Sequence, residues 1–149
     1  MPMSENEVVV SSADWFKLQY PLVYRQIVKI DNEGIRSVAG HRLAKKMGLS
    51  VGASDWFIAY PIGVYHGMWI EFKKEKWPGP RGIKEKARHA NQIDFLKKMS
   101  CKGYHTAFVV GFDQAREALS GYMKGECHLY QSAYYKPVPP SIAVIQGSS

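Results

Sequence analysis

Asp55, Glu71 and Lys73 carry the strongest chemical suggestion in the chain, in the pattern Asp-x15-Glu-x-Lys. Residues two apart on a strand project from the same face, so Glu71 and Lys73 would stand together with Phe72 turned the other way. If the strands bearing Asp55 and Glu71 pair through the turn at residues 61–66, two carboxylates meet beside a lysine. That set suits phosphodiester hydrolysis. Hard divalent cations such as Mg²⁺ or Mn²⁺ take oxygen ligands, commonly one or two carboxylates plus waters and substrate phosphate. Such a cation lowers the pKa of a bound water and offsets charge on the attacked phosphate. A neighbouring lysine orients that water or stabilises developing negative charge. Phe72 could add its backbone carbonyl as a further ligand. The plainer reading of the same residues is a Glu71–Lys73 ion pair at a strand end, with Asp55 as a strand or turn cap. No P-loop, GxSxG elbow, HExxH helix or GxGxxG turn accompanies them.

The elements that must position these groups are legible in outline. Ser4-x-x-Glu7 is a capping-box pattern, with Glu5 and Glu7 in the first turn of a helix that Pro21 would stop. Val8-Val9-Val10 argues mildly against that helix. Residues 23–30 are rich in strand formers, and Asn32-Glu33-Gly34 signals a turn. Residues 36–47 predict a basic amphipathic helix closed by Gly48. Residues 55–60 and 67–74 predict a strand pair. Residues 83–100 predict a helix with Ala87, Ile93, Phe95, Leu96 and Met99 inward. Residues 105–110 predict a buried strand, and Asp113 a cap for a short helix through Met123. This order implies an α/β fold, with helices packed on a mixed sheet. The natural division is a domain over residues 1–124 and a Tyr- and Pro-bearing extension over 125–149 that drapes on the domain or on a partner.

Composition narrows the field. A chain of 149 residues, 46% hydrophobic, predicts one folded domain and excludes wholesale disorder. No apolar run approaches the roughly 20 residues that span a bilayer, and the N-terminus lacks a secretory h-region. The expectation is a soluble cytoplasmic protein without a membrane partner. Cys101 and Cys127 make no disulfide framework, and zinc binding with His105 or His128 lacks a CxxC pair. The net charge is +7, and residues 71–102 hold ten Lys/Arg against four Asp/Glu. Arg36, His41, Arg42, Lys45 and Lys46 form a second basic cluster. Clustered positive charge on both sides of a carboxylate site points to a polyanion, most often nucleic acid.

At these residues the chain resembles the PD-(D/E)xK nuclease superfamily, and within it the small stand-alone VRR-NUC type of phages and bacteria. Trp15…Tyr20-Pro21, Asn32-Glu33-Gly34-x-Arg36, Gly48…Gly52-Ala53-Ser54-Asp55 and the run from Tyr65 through Glu71-Phe72-Lys73 follow its motifs in order. Gln92 and Gly103-Tyr104…Gly111-Phe112-Asp113…Tyr122 continue the match. Ser54 stands where the family has proline, and residues after Lys124 have no counterpart.

The resemblance implies a restriction-endonuclease-like core and a Mg²⁺- or Mn²⁺-dependent endonuclease. It implies structure-specific cleavage of branched DNA, with a homodimer that resolves four-way (Holliday) junctions. It implies Asp55, Glu71 and the Phe72 carbonyl as metal ligands, Lys73 as the catalytic lysine and Gln92 as a supporting group. A glutamate of the first helix would join them, with Glu7 the first candidate and Glu5 the second; Glu7 as a capping residue is an equal reading. Asn32 and Arg36 would lie near the substrate phosphate, and Lys45, Lys46, Lys74, Lys76, Arg81 and Lys84 would form a DNA-binding rim. Trp77 would pack its loop, or stack on a base. The rival readings are a monomeric flap or nicking nuclease and a DNA-binding module without catalysis. Oligomeric state separates the first from the junction resolvase, and metal-dependent cutting separates the second.

Overall fold

The computed structural model describes residues 1–31 and 37–138. Asn32, Arg36 and the turn expected at 32–34 lie outside the described residues, as does the tail beyond Val138. Helix α1 spans Glu5–Gln19. The Ser4 N–H donates to Glu7 Oε2 at 2.7 Å, and the Glu7 N–H donates to Ser4 Oγ at 3.2 Å. This closed box satisfies donors that a helix start otherwise leaves open. The three valines do not prevent the helix because Val8 is fully buried, and packing outweighs propensity costs of tenths of a kcal/mol.

The strand expected at 23–30 shortens to β1, Ile27–Lys29, because residues 24–26 close a 3₁₀ turn first. Helix α2, Val38–Lys46, starts on a Ser37 cap and ends before Gly48, whose φ of 104° suits glycine. Strands β2 (Trp56–Ile58) and β3 (Met68–Lys73) are followed by α3 (Gly82–Cys101), β4 (His105–Val110) and α4 (Phe112–Met123). Asp113 does not cap α4. Gly111 takes that position, and Asp113 sits inside the first turn, paired with Arg116.

The sheet order is β1-β2-β3-β4. The first two pairings are antiparallel, and β3–β4 is parallel. Parallel neighbours need a long crossover, and α3 supplies it. The fold is therefore α/β, a mixed sheet flanked by helices. One face carries the larger core, where Val8 and Phe16 of α1 and Leu119 and Tyr122 of α4 meet Ile58, Met68, Ile70 and Phe72. On the other face Leu96 of α3 packs with Phe108 and Tyr135, bordered by Trp69 and Trp77. Strand alternation puts Trp69, Glu71 and Lys73 on this second face. Phe95 and Leu96 are buried as their spacing predicts, but Ala87 is exposed, while His89 two residues on packs against Phe108 of β4.

Beyond α4 the chain passes from one face to the other: Cys127 and Tyr130 pack against the larger core, and Tyr134 and Tyr135 pack on the second face. The Tyr135 hydroxyl lies 2.6 Å from Thr106 Oγ1, and Ser100 Oγ exchanges two hydrogen bonds of 2.8 Å with the Val138 backbone.

Candidate metal centre and basic cleft

The β2–β3 register pairs Trp56 with Ile70. One further step sets Asp55 opposite Glu71. The Phe72 N–H donates to Asp55 Oδ2 at 2.8 Å, which locks that carboxylate against the neighbouring strand. Within an antiparallel pair a residue directs its N–H and C=O to the same side, so the Phe72 carbonyl faces Asp55 as well. Glu5, Asp55 and Glu71 each offer a carboxylate oxygen, and these atoms lie within 4.8 Å of one another.

Of the two first-helix glutamates, the structure brings Glu5 to the carboxylates and leaves Glu7 outside the cluster. Glu7 is exposed, and its carboxylate is spent on the Ser4 N–H. Glu5 is the first helical residue and is aimed at the sheet by two devices. One is the capping box. The other is a clamp in which the Met3 N–H donates to Glu75 Oε2 at 2.6 Å and the Glu75 N–H donates to Met3 O at 3.1 Å. Glu75 lies just beyond β3, so the clamp ties the helix start to the strand that carries Glu71.

Glu71 is 1% exposed. Burial first, then the adjacent Asp55 charge and its hydrogen bond, hold its carboxyl well above the usual glutamate range; Lys73 opposes this and Glu5 adds to it. Lys73 Nζ lies 3.8 Å from Glu71 Oε2, and its side chain is also largely buried, though less completely than that of Glu71. The ammonium also sits over two rings, 5.3 Å from the Trp77 centroid and 5.8 Å from that of Phe108.

Gln92 is 7% exposed, and its Oε1 has no hydrogen-bond partner among the described residues. A buried acceptor in that state costs about 1–3 kcal/mol unless something occupies the adjoining space. That space is a cleft of about 830 Å³, walled by Glu5, Asp55, Glu71 and Gln92, with Lys45 and Arg88 at its edges. A second cleft of about 380 Å³ adjoins it and holds Lys73, Lys74, Arg81 and His89. Glu5, Arg88 and Gln92 belong to both. The donors fit a hard divalent cation: three carboxylates, a carbonyl on the same side and an unpartnered amide oxygen, with neither sulfur nor imidazole. Among the described residues this is the one such cluster, and neither Cys101 nor Cys127 takes part in one.

Of the residues expected to meet DNA, Lys45 lines the first cleft and Lys74 and Arg81 the second. Lys46, Lys76 and Lys84 are exposed but line neither. Arg88 and His89 were not singled out from the sequence, although Arg88 sits four residues before Gln92 and so shares its helix face. Burial first and the Lys73 charge second push the His89 imidazole below its ordinary value.

The loop before β2 is seated on α3. Gly52 has φ 80°, and a Cβ there would come within 2.5 Å of the Asn91 carbonyl oxygen. Glycine is thus required where the chain approaches α3 on its way to Asp55.

No family model and no curated protein matches the sequence. In three dimensions the chain is similar to a solved structure described as "VRR_NUC domain protein". The two share 22% identity and superpose with a TM-score of 0.64, over 93% of this chain and 100% of the other. The chain has the fold of that VRR_NUC domain.

Proposed function

We propose that the protein is a divalent-metal-dependent DNA endonuclease that cleaves branched DNA, with the four-way junction as its substrate and a homodimer as its working form. The observation that carries the reading is the convergence of Glu5, Asp55 and Glu71 within 4.8 Å, with Lys73 at 3.8 Å from Glu71. The VRR_NUC fold and the +7 charge of the chain support it.

Glu5, Asp55 and Glu71 would hold Mg²⁺ or Mn²⁺, with the Phe72 carbonyl and Gln92 completing the oxygen set. When bound, the cation would lower the pKa of a coordinated water and offset charge on the attacked phosphate. Lys73 offers its ammonium to the reacting phosphate from beside Glu71. Lys45, Lys74, Arg81 and Arg88 line the two clefts and neutralise flanking phosphates. Such contacts give affinity and register rather than base preference, consistent with recognition of DNA by its shape. Paired cuts on symmetric strands need two sites related by a two-fold axis, which a second copy of this chain supplies.

The test is cleavage of four-way junction, flap and plain duplex DNA with Mg²⁺ or Mn²⁺, beside Lys73→Ala. Symmetric paired cuts in the junction that vanish in the variant are expected. Flap cutting alone, by a chain that sediments as a monomer, would replace the junction reading with that of a flap nuclease. Tight binding without any cutting would leave a DNA-binding module.

A further inference from the structure

Lys73 is held from two directions. Glu71 lies on one side at 3.8 Å, too far for a hydrogen bond. A lysine stem is flexible, and one loose ion pair does not fix its head group. The other side is aromatic, formed by the faces of Trp77 and Phe108. Ring faces attract an ammonium through their quadrupole, most strongly in Trp. They also offset the neighbouring positive charges of Lys74, Arg81 and Arg88, which share the cleft with Lys73.

Trp77 belongs to the loop between β3 and α3. Phe108 lies on β4, at the edge of the sheet. Each has its backbone carbonyl taken by a tyrosine hydroxyl of the segment that follows α4. Tyr134 Oη donates to Trp77 O at 3.3 Å, and Tyr130 Oη donates to Phe108 O and sits 3.0 Å from Gln114 Oε1. The Tyr134 ring also packs on Trp77, with centroids 4.8 Å apart, and its edge is 3.5 Å from where a Cβ on Gly79 would stand. Tyr135 is buried beside it and bonded to Thr106. The segment is therefore anchored and presents two tyrosines to the two walls around Lys73.

We infer that residues 125–138 serve the candidate active site, with Tyr134 and Tyr130 bracing Trp77 and Phe108, and those two rings positioning the Lys73 ammonium. This rests on the proposed nuclease reading for its consequence, but not for its geometry. Trp77, Tyr130 and Tyr134 are positioning residues that act through Lys73.

Two measurements on the full chain test it. The first is the ¹H–¹³C spectrum of the lysine ε-methylenes, in which Lys73 is identified by the signal that Lys73→Met removes. Ring currents move that signal upfield in the native protein, and Trp77→Leu and Tyr134→Ala return it toward the position of exposed lysines. A Lys73 signal at the exposed position in the native protein, or one unmoved by Trp77→Leu, overturns the inference. The second is the kinetics of metal-dependent cleavage. Trp77→Leu lowers kcat roughly tenfold or more with little change in KM, as a displaced reacting group does. Trp77→Phe restores most of the rate, and Tyr134→Ala lowers kcat in the same sense with native folding by thermal melting. A raised KM with unchanged kcat in Trp77→Leu means that the ring contacts DNA instead, and overturns the inference. If Trp77→Leu does not fold, Trp77→Phe and Tyr134→Ala carry both measurements. A native protein that cuts no DNA ends the nuclease reading, and the spectra still decide whether the rings hold Lys73.

Discussion

The Phe72 amide donates to Asp55 Oδ2 at 2.8 Å, so one carboxylate of the cluster is oriented by the backbone of the strand that carries another. Phe72 is fully buried in the larger core on the opposite face. The position of Asp55 is thereby coupled to core packing, not only to the loop that precedes it. Asp55→Asn keeps an acceptor for the Phe72 N–H and removes a charge. It is expected to fold normally, to stop cleavage and to weaken Mg²⁺ binding at least roughly tenfold by calorimetry, the lower end of what losing even an outer-shell partner of a metal ligand costs. Metal affinity equal to that of the native chain would show that Asp55 is structural only.

Glu71 is a buried carboxylate beside Asp55 and Glu5, and holding such charges together costs stability when no cation offsets them. Glu71→Gln should therefore melt at a higher temperature than the native protein in EDTA at neutral pH. Mg²⁺ should raise the native melting temperature and leave that of the variant unchanged, since a ligand of the folded state stabilises only where it binds. A native protein whose melting ignores Mg²⁺ and Mn²⁺ would count against the centre.

Glu5 and Glu7 stand two residues apart and are assigned different work. Glu5→Gln should cut the cleavage rate at least tenfold with little change in stability. Glu7→Gln preserves the capping box and should behave as native, whereas Glu7→Ala should cost about 1 kcal/mol of stability and little activity. Comparable loss of metal affinity in Glu5→Gln and Glu7→Gln would undo this division.

His105 is 6% exposed, stacked on the Tyr122 ring at 5.7 Å, and its Nδ1 has no partner among the described residues. Burial pushes its pKa down to about 4. Between about pH 6.5 and pH 4 the unfolded chain gains a proton at this site that the folded chain refuses. Stability should therefore fall as the pH drops through that window, by about 3 kcal/mol if the whole shift is expressed. His105→Phe should lack this part of the decline in urea melts at pH 7, 5.5 and 4.5. An identical decline in the variant would assign the acid sensitivity elsewhere.

Gly52→Ala places a methyl group 2.5 Å from the Asn91 carbonyl oxygen at a φ of 80°. The strain and the clash together should cost about 2 kcal/mol or more. Because residues 53–55 follow directly, activity should fall further than the melting temperature alone explains. Native melting and native cleavage in Gly52→Ala would show that the loop does not set Asp55.

Much of the fold was legible because its signals are local. Ser4 and Glu7 announced α1, Gly48 closed α2, and the alternation across Glu71, Phe72 and Lys73 placed the first and third on one face. The helix at 83–100 and the strand at 105–110 were visible in their apolar spacing. The misplacements are also local in kind. Gly111 rather than Asp113 caps α4, because a cap depends on backbone angles that composition does not express. The start of the strand at 23–30 became a 3₁₀ turn, because the chain leaving α1 at Pro21 turns before it pairs with β2.

What the sequence by itself determined is the chemistry on offer: an Asp-x15-Glu-x-Lys set, a surplus of positive charge and an α/β order of elements. Those follow from residue type and short-range spacing. Which glutamate of α1 completes the cluster was decided only by tertiary structure. Glu5 and Glu7 are equally acidic, and the clamp between Met3 and Glu75, 72 residues apart, joins the local capping box in aiming Glu5 at the sheet. The surroundings of Lys73 were decided the same way. Trp77, Phe108 and Tyr134 come from a loop, a strand and the segment after the last helix, and no spacing along the chain connects them. Long-range packing brings such groups together, and it depends on the whole set of buried contacts at once.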